Sequence, residues 1–189
     1  MVLVLFNFAF DLRVERVQSV APGVLWVAFT FAGVLALGRA FAREQDRGTL
    51  EGLLLAPVDR GAIYLAKLLA SLTFMLIVEA ASLPAYVGLF NLELDWLAFL
   101  PVVGFGTLGL AAVGTLLAAM SANTRAREVM LPLLLFPLVV PLLIATVKAT
   151  AQALGGPAEE GHPWLGLLVA FDAIFIAVSL LVFDFVVES

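Results

Sequence analysis

Five apolar runs follow one another along this chain, at about 22–42, 62–83, 97–118, 130–147 and 164–185, with short polar stretches between them. Crossing about 30 Å of hydrocarbon as a helix takes roughly 20 residues, and each run comes near that length. Without water to bond to, a backbone in lipid must satisfy its own N–H and C=O groups, so such runs fold as helices. The pattern restricts the chain to an all-α, polytopic membrane bundle, one transmembrane domain over residues 1–189. Composition agrees: 63% hydrophobic and 13% charged residues leave too little polar side chain to clothe a water-soluble surface. The opening run, residues 1–10, rises only about 15 Å as a helix. It has no basic n-region and no small-residue cleavage site, so it is not a signal peptide. It reads as the outer half of a sixth transmembrane helix, truncated at its N-terminus.

Lysines and arginines sort to one side when successive loops alternate. Arg39, Arg43, Arg47, Arg60, Lys67, Arg125 and Arg127 fall on one side, and Arg13, Arg16 and Lys148 on the other. The positive-inside rule then puts 39–61, 119–129 and the C-terminus in the cytoplasm, with loops 11–21, 84–96 and 148–163 outside. Trp26, Trp96 and Trp164 fall near the outer helix ends, where an aromatic belt would place them.

Several chemistries are excluded. There is no cysteine, hence no disulfide, thiolate metal site or thiol nucleophile. A single histidine, His162, limits imidazole ligation to one residue. It lies in a Gly/Pro-rich loop, where an ordinary loop role and an iron ligand are the two readings; no metal site is assigned. No basic patch exists for nucleic acid, and the partner at the surface is membrane lipid.

The one long polar stretch runs from Arg39 to Arg60. Within it, Thr49 can N-cap a short helix, Glu51 suits the positive end of its dipole, and Pro57 helps end it. Leu50, Leu53 and Leu54 share one face. A helix this short cannot span. It either lies on the membrane surface or inserts its apolar face into a groove on a soluble partner.

Two helices have internal character. In 97–118, Gly104, Thr107, Ala111, Gly114 and Ala118 recur every three or four residues, a small-residue seam suited to helix packing. In 130–147, Pro132, Pro137 and Pro141 each remove a backbone donor, giving either a structural kink or a hinge beside a pathway. Among the acids, Glu79 counts out to about 24 Å from Ile63, near the outer interface and solvated. Asp172 counts to about 12 Å inside Trp164, making it the intramembrane polar candidate. Its available partners are Lys67 or Ser and Thr of neighbouring helices. Asp184 and Glu188 fall at the inner interface. Acids at different depths, with His162 outside, do not make an intramembrane catalytic centre, so the chain reads as non-catalytic.

A resemblance adds to this. The order Ala21-Pro22-Gly23-Val24-Leu25-Trp26-Val27-Ala28, Leu35-Ala36-Leu37, Asp46-Arg47-Gly48-Thr49-Leu50-Glu51, Leu65-Ala66-Lys67, Leu131-Pro132 and Pro137-Leu138-Val139-Val140-Pro141-Leu142-Leu143-Ile144 resembles the CcmB family of ABC permeases in bacterial cytochrome c maturation. The likeness runs from about Asp11 onward. Family members usually carry a cytoplasmic basic or amphipathic stretch before the first helix, absent here, and Asp172 and Asp184 are not a family pattern. The resemblance implies an ABC-2-like permease of the bacterial inner membrane, working as a homodimer with a cytoplasmic ATPase subunit and other cytochrome c maturation membrane subunits. Haem is the handled ligand. It implies that 44–57 is the ATPase-coupling segment, with Glu44, Asp46, Gly48, Thr49, Leu50, Glu51, Leu53 and Leu54 in the contact. The chain has no Gly-x-x-x-x-Gly-Lys-Ser/Thr phosphate loop, so the energy source is a partner. A generic exporter permease for lipid, polysaccharide or drug would share this architecture, and a purely structural scaffold would lack the ATPase dependence.

Overall fold

The computed structural model describes residues 1–5, 14–46, 59–92, 94–122, 127–156 and 163–188. Each of the five apolar runs is one long helix: α1 (Val14–Asp46), α2 (Arg60–Phe90), α3 (Trp96–Ala122), α4 (Arg127–Ala153) and α5 (Trp164–Glu188). All five contain apolar spans long enough to cross a membrane. Residues 2–5 are helical too, and the remainder of the opening run lies outside the described residues.

The helices outrun the apolar runs that announce them. The predicted outer loop 84–96 shrinks to the few residues between Phe90 and Trp96, because α2 continues through Pro84. A proline removes one backbone donor. Here the burial of Leu83, Tyr86 and Phe90 carries the helix past that loss. It ends at Asn91, in the left-handed conformation (φ 47°) that asparagine tolerates at a C-terminus. Lys148, assigned to an outer loop by sequence, sits within the last turns of α4 for the same reason, since Ala149 and Ala153 beyond it are buried. Gly155 (φ 80°) closes that helix, and the Gly156 N–H donates to the Ala151 carbonyl at 3.0 Å. At the same end, the Asp95 carboxylate accepts from the Leu97 N–H at 3.0 Å, capping α3, while the Asp95 N–H donates to the Ala153 carbonyl.

Helix α3 is the centre of the bundle. It packs against all four others, which close a ring around it in the order α1, α2, α5, α4 and back to α1. Its sequence explains this role: 27 residues with no charge and many of Gly, Ala and Thr let neighbours approach from every side. The outer helices bury one stripe each. On α2 the stripe is Tyr64, Leu68, Ser71, Met75, Glu79, Leu83, Tyr86 and Phe90. On α5 it is Leu168, Phe171, Asp172, Ser179 and Phe183. Both stripes follow the three- and four-residue spacing of one helix face, and each carries an acid in its middle.

Candidate functional site

The two acids meet α3 at nearly one level and on opposite sides. Glu79 is only 2% exposed, and the Thr107 hydroxyl lies 2.9 and 2.8 Å from its two carboxylate oxygens. One hydroxyl proton is shared between two acceptors. Asp172, 4% exposed, faces the backbone of α3 at Gly109: a Cβ built there would stand 2.5 Å from its Oδ1 and 2.9 Å from a Leu142 methyl. Residues 107 and 109 differ by about 3 Å in rise and roughly 200° around the helix.

This corrects the expected depths. Glu79 is not a solvated residue of the outer interface. The count from Ile63 was sound, but α2 runs on to Phe90, eleven residues past the acid, or about 16 Å. A small cavity of about 10 Å³ adjoins Glu79 between α1 and α2, lined by Phe29, Gly33, Met75 and Val78. It is roughly the size of one water. Asp172 has neither of its expected partners: its two oxygens accept no hydrogen bond among the described residues. Lys67 sits about 18 Å along α2 from Glu79, toward the opposite end.

Trp26 is likewise not a belt residue. It is 1% exposed, and its indole Nε1–H donates to Thr150 Oγ1 at 2.9 Å, joining α1 to α4. The ring fits because α3 presents Gly106 there, where any Cβ would overlap the indole and the Thr146 methyl. Helix α1 starts at Val14 rather than at 22, which moves Trp26 well inside the helix. Trp96 is half exposed.

The predicted small-residue seam is broken at Gly104, which is exposed with nothing near its missing Cβ. Spacing identifies a helix face, not how far along that face a neighbour stays in contact. Thr107, Ala111, Gly114 and Ala118 are buried, with the Leu37 side chain against Gly114. The tight notches that the seam did not include are Gly106 and Gly109. Their i, i+3 spacing is visible in the sequence, but only the neighbours Trp26 and Asp172 reveal their use. Helix α4 runs unbroken through Pro132, Pro137 and Pro141, the last two on its exposed face.

Of the expected ATPase-coupling residues, Glu44 and Asp46 lie in the last turns of α1. Gly48, Thr49, Leu50, Glu51, Leu53 and Leu54 lie outside the described residues, as does His162. Among the described residues no group of three or more His, Cys, Asp or Glu is arranged to hold a metal ion.

Comparison with known proteins supplies the context. The family described as CcmB protein matches residues 1–188. Heme exporter protein B of Rhodobacter capsulatus is 31% identical over 179 residues, covering 93% of this chain and 80% of that protein. Heme exporter protein B of Pseudomonas aeruginosa is 29% identical over 171 residues, 89% of this chain and 77% of that protein. The Escherichia coli K12 protein of the same name is 29% identical over 177 residues, 91% and 79% respectively.

Proposed function

The chain belongs to the CcmB protein family, and on that premise we propose that it is the membrane permease subunit of an ABC-type haem exporter serving cytochrome c maturation. The observation that carries the reading is the match of the family to residues 1–188 together with the relatives' shared name, heme exporter protein B. The chain supplies helices but no phosphate-binding loop, so ATP hydrolysis belongs to a separate cytoplasmic ATPase. Two copies of the permease face two ATPase subunits, alongside other maturation subunits in the bacterial inner membrane.

Charge sidedness supports a cytoplasmic placement of the end where α1 stops and α2 starts, with the C-terminus on that same side. Segment 44–57 begins in the last turns of α1, runs on toward α2 and transmits ATPase closure. The helices that flank it in sequence, α1 and α2, both pack on the central α3. Haem is cargo in this reading rather than a resident group.

Affinity purification from native membranes tests it. The wild-type chain is expected to bring down an ATPase and cytochrome c maturation proteins, and a Leu50→Asp, Leu54→Asp variant to lose the ATPase. Wild-type ATPase yield with that variant would overturn the coupling role of the segment. An ATPase without any haem-handling protein would favour a generic exporter.

A further inference from the structure

Asp172 lies in the middle of the one stripe that α5 buries, so its side chain points into the bundle and not into lipid. There it touches Gly109 of α3 and comes close to Leu142 of α4. Neither of its oxygens accepts a hydrogen bond among the described residues.

Among the described residues, no hydrogen-bond donor or charge on the surrounding helices is set against it. Helix α3 has no charged residue at all between Trp96 and Ala122. On α4, Arg127 and Glu128 stand at the first turn, and Lys148 is exposed about 9 Å outward of Leu142. On α2, Glu79 lies across α3 with Thr107, Lys67 lies far toward the other end, and the Tyr64 hydroxyl donates to the Ala112 carbonyl at 3.1 Å. On α5 itself, Asp184 and Glu188 occupy the last turns. A carboxylate ion left with apolar neighbours and no donor loses its hydration for nothing, a penalty on the scale of a whole domain's stability. A neutral carboxylic acid avoids it.

We infer that Asp172 is a proton-binding site, its carboxyl held in the acid form within the closed seam between α3, α4 and α5. The acid is then a donor waiting for an acceptor. The nearest hydroxyls outward are already bonded: Thr146, one turn from Leu142, turns its methyl to the Gly106 notch and donates to the Leu143 carbonyl at 2.9 Å, and Thr150, one turn further, accepts from Trp26. A proton leaves Asp172 only when the seam parts, and the carboxylate it leaves is hydrated by the same opening. The site does not depend on which cargo or which ATPase the complex uses.

Infrared spectroscopy of the full chain in lipid nanodiscs at neutral pH, with carbon-13 aspartate incorporated, tests this directly. A protonated-carboxyl stretch is expected that moves with the isotope, moves again in deuterium oxide, disappears in Asp172→Asn and persists in Glu79→Gln. Absence of any protonated aspartate band in the wild type overturns the inference, as does a band that Asp172→Asn leaves intact. Should the asparagine variant fail to fold, Gly109→Ala replaces it. Its added methyl presses on the carboxyl and shifts the band, and an unshifted band also overturns the proposal.

Discussion

The two sides of α3 treat a buried acid differently. Toward α2, Glu79 has a hydroxyl partner and a water-sized cavity beside it. Toward α5, Asp172 has a glycine, a leucine and, among the described residues, no hydrogen-bond partner. Both are more than nine-tenths buried and both sit near the middle of long membrane helices. Burial alone therefore does not define a polar site; what stands opposite does. A hydroxyl converts the acid into a link between two helices, whereas a notch converts it into a group that is only accommodated. One side of α3 is built to hold and the other to let an unsatisfied group sit close to the backbone.

The largest effect expected from breaking this arrangement is at the notch. Gly109→Leu drives a branched side chain into the space of the Asp172 carboxyl and the Leu142 methyls, atoms held by three packed helices. Overpacking of this kind costs about 3 kcal/mol, to be read from equilibrium unfolding in detergent. A loss under about 1 kcal/mol would mean that α5 shifts freely at this level and that the notch is not a tight contact.

A second substitution tests the other side. Thr107→Val keeps the shape but strips Glu79 of its donor, leaving a buried acid unsatisfied at a cost of about 2 kcal/mol. Asp172→Asn should cost little by contrast, within about 0.5 kcal/mol, because no hydrogen bond is lost. Equal losses at the two positions would erase the distinction between a held acid and a merely accommodated one.

Much of this architecture is legible in the sequence alone. Apolar length gave five helices, and the alternation of apolar runs with polar breaks gave their order, because lipid permits few other solutions. Asp172 stood out because an acid so far from either end of its run has no exit to water. Glu79 did not, for a specific reason: the apolar run ends at about 83, and an acid some 24 Å along it from Ile63 reads as solvated at the outer interface. Only tertiary burial of Tyr86 and Phe90 extends α2 and draws Glu79 inward. Trp26 was misread in the same way, since an indole near the start of an apolar run looks like a belt residue until Thr150, 124 positions away, appears as its partner. Partners distant in sequence leave no local signal, and the seam through Gly104 failed for that reason too.

The smallest predicted effect separates two glycines of α3 only two residues apart. Gly104 is exposed with open space where a Cβ would go, whereas Gly106 faces the Trp26 ring and Thr146. Alanine in a helix interior is favoured over glycine by about 0.5 kcal/mol or somewhat more. Gly104→Ala should therefore stabilise the bundle by about that amount, since nothing has to move. Gly106→Ala should destabilise it, because the same methyl overlaps an indole that is buried and bonded through its Nε1 to Thr150. The sign of the change, read from thermal unfolding of the two variants side by side, is the discriminating quantity. Opposite signs would place the close contact of α3 at its α1–α4 side. A shared gain would show that Trp26 yields easily, and a shared loss would restore Gly104 to a packing face.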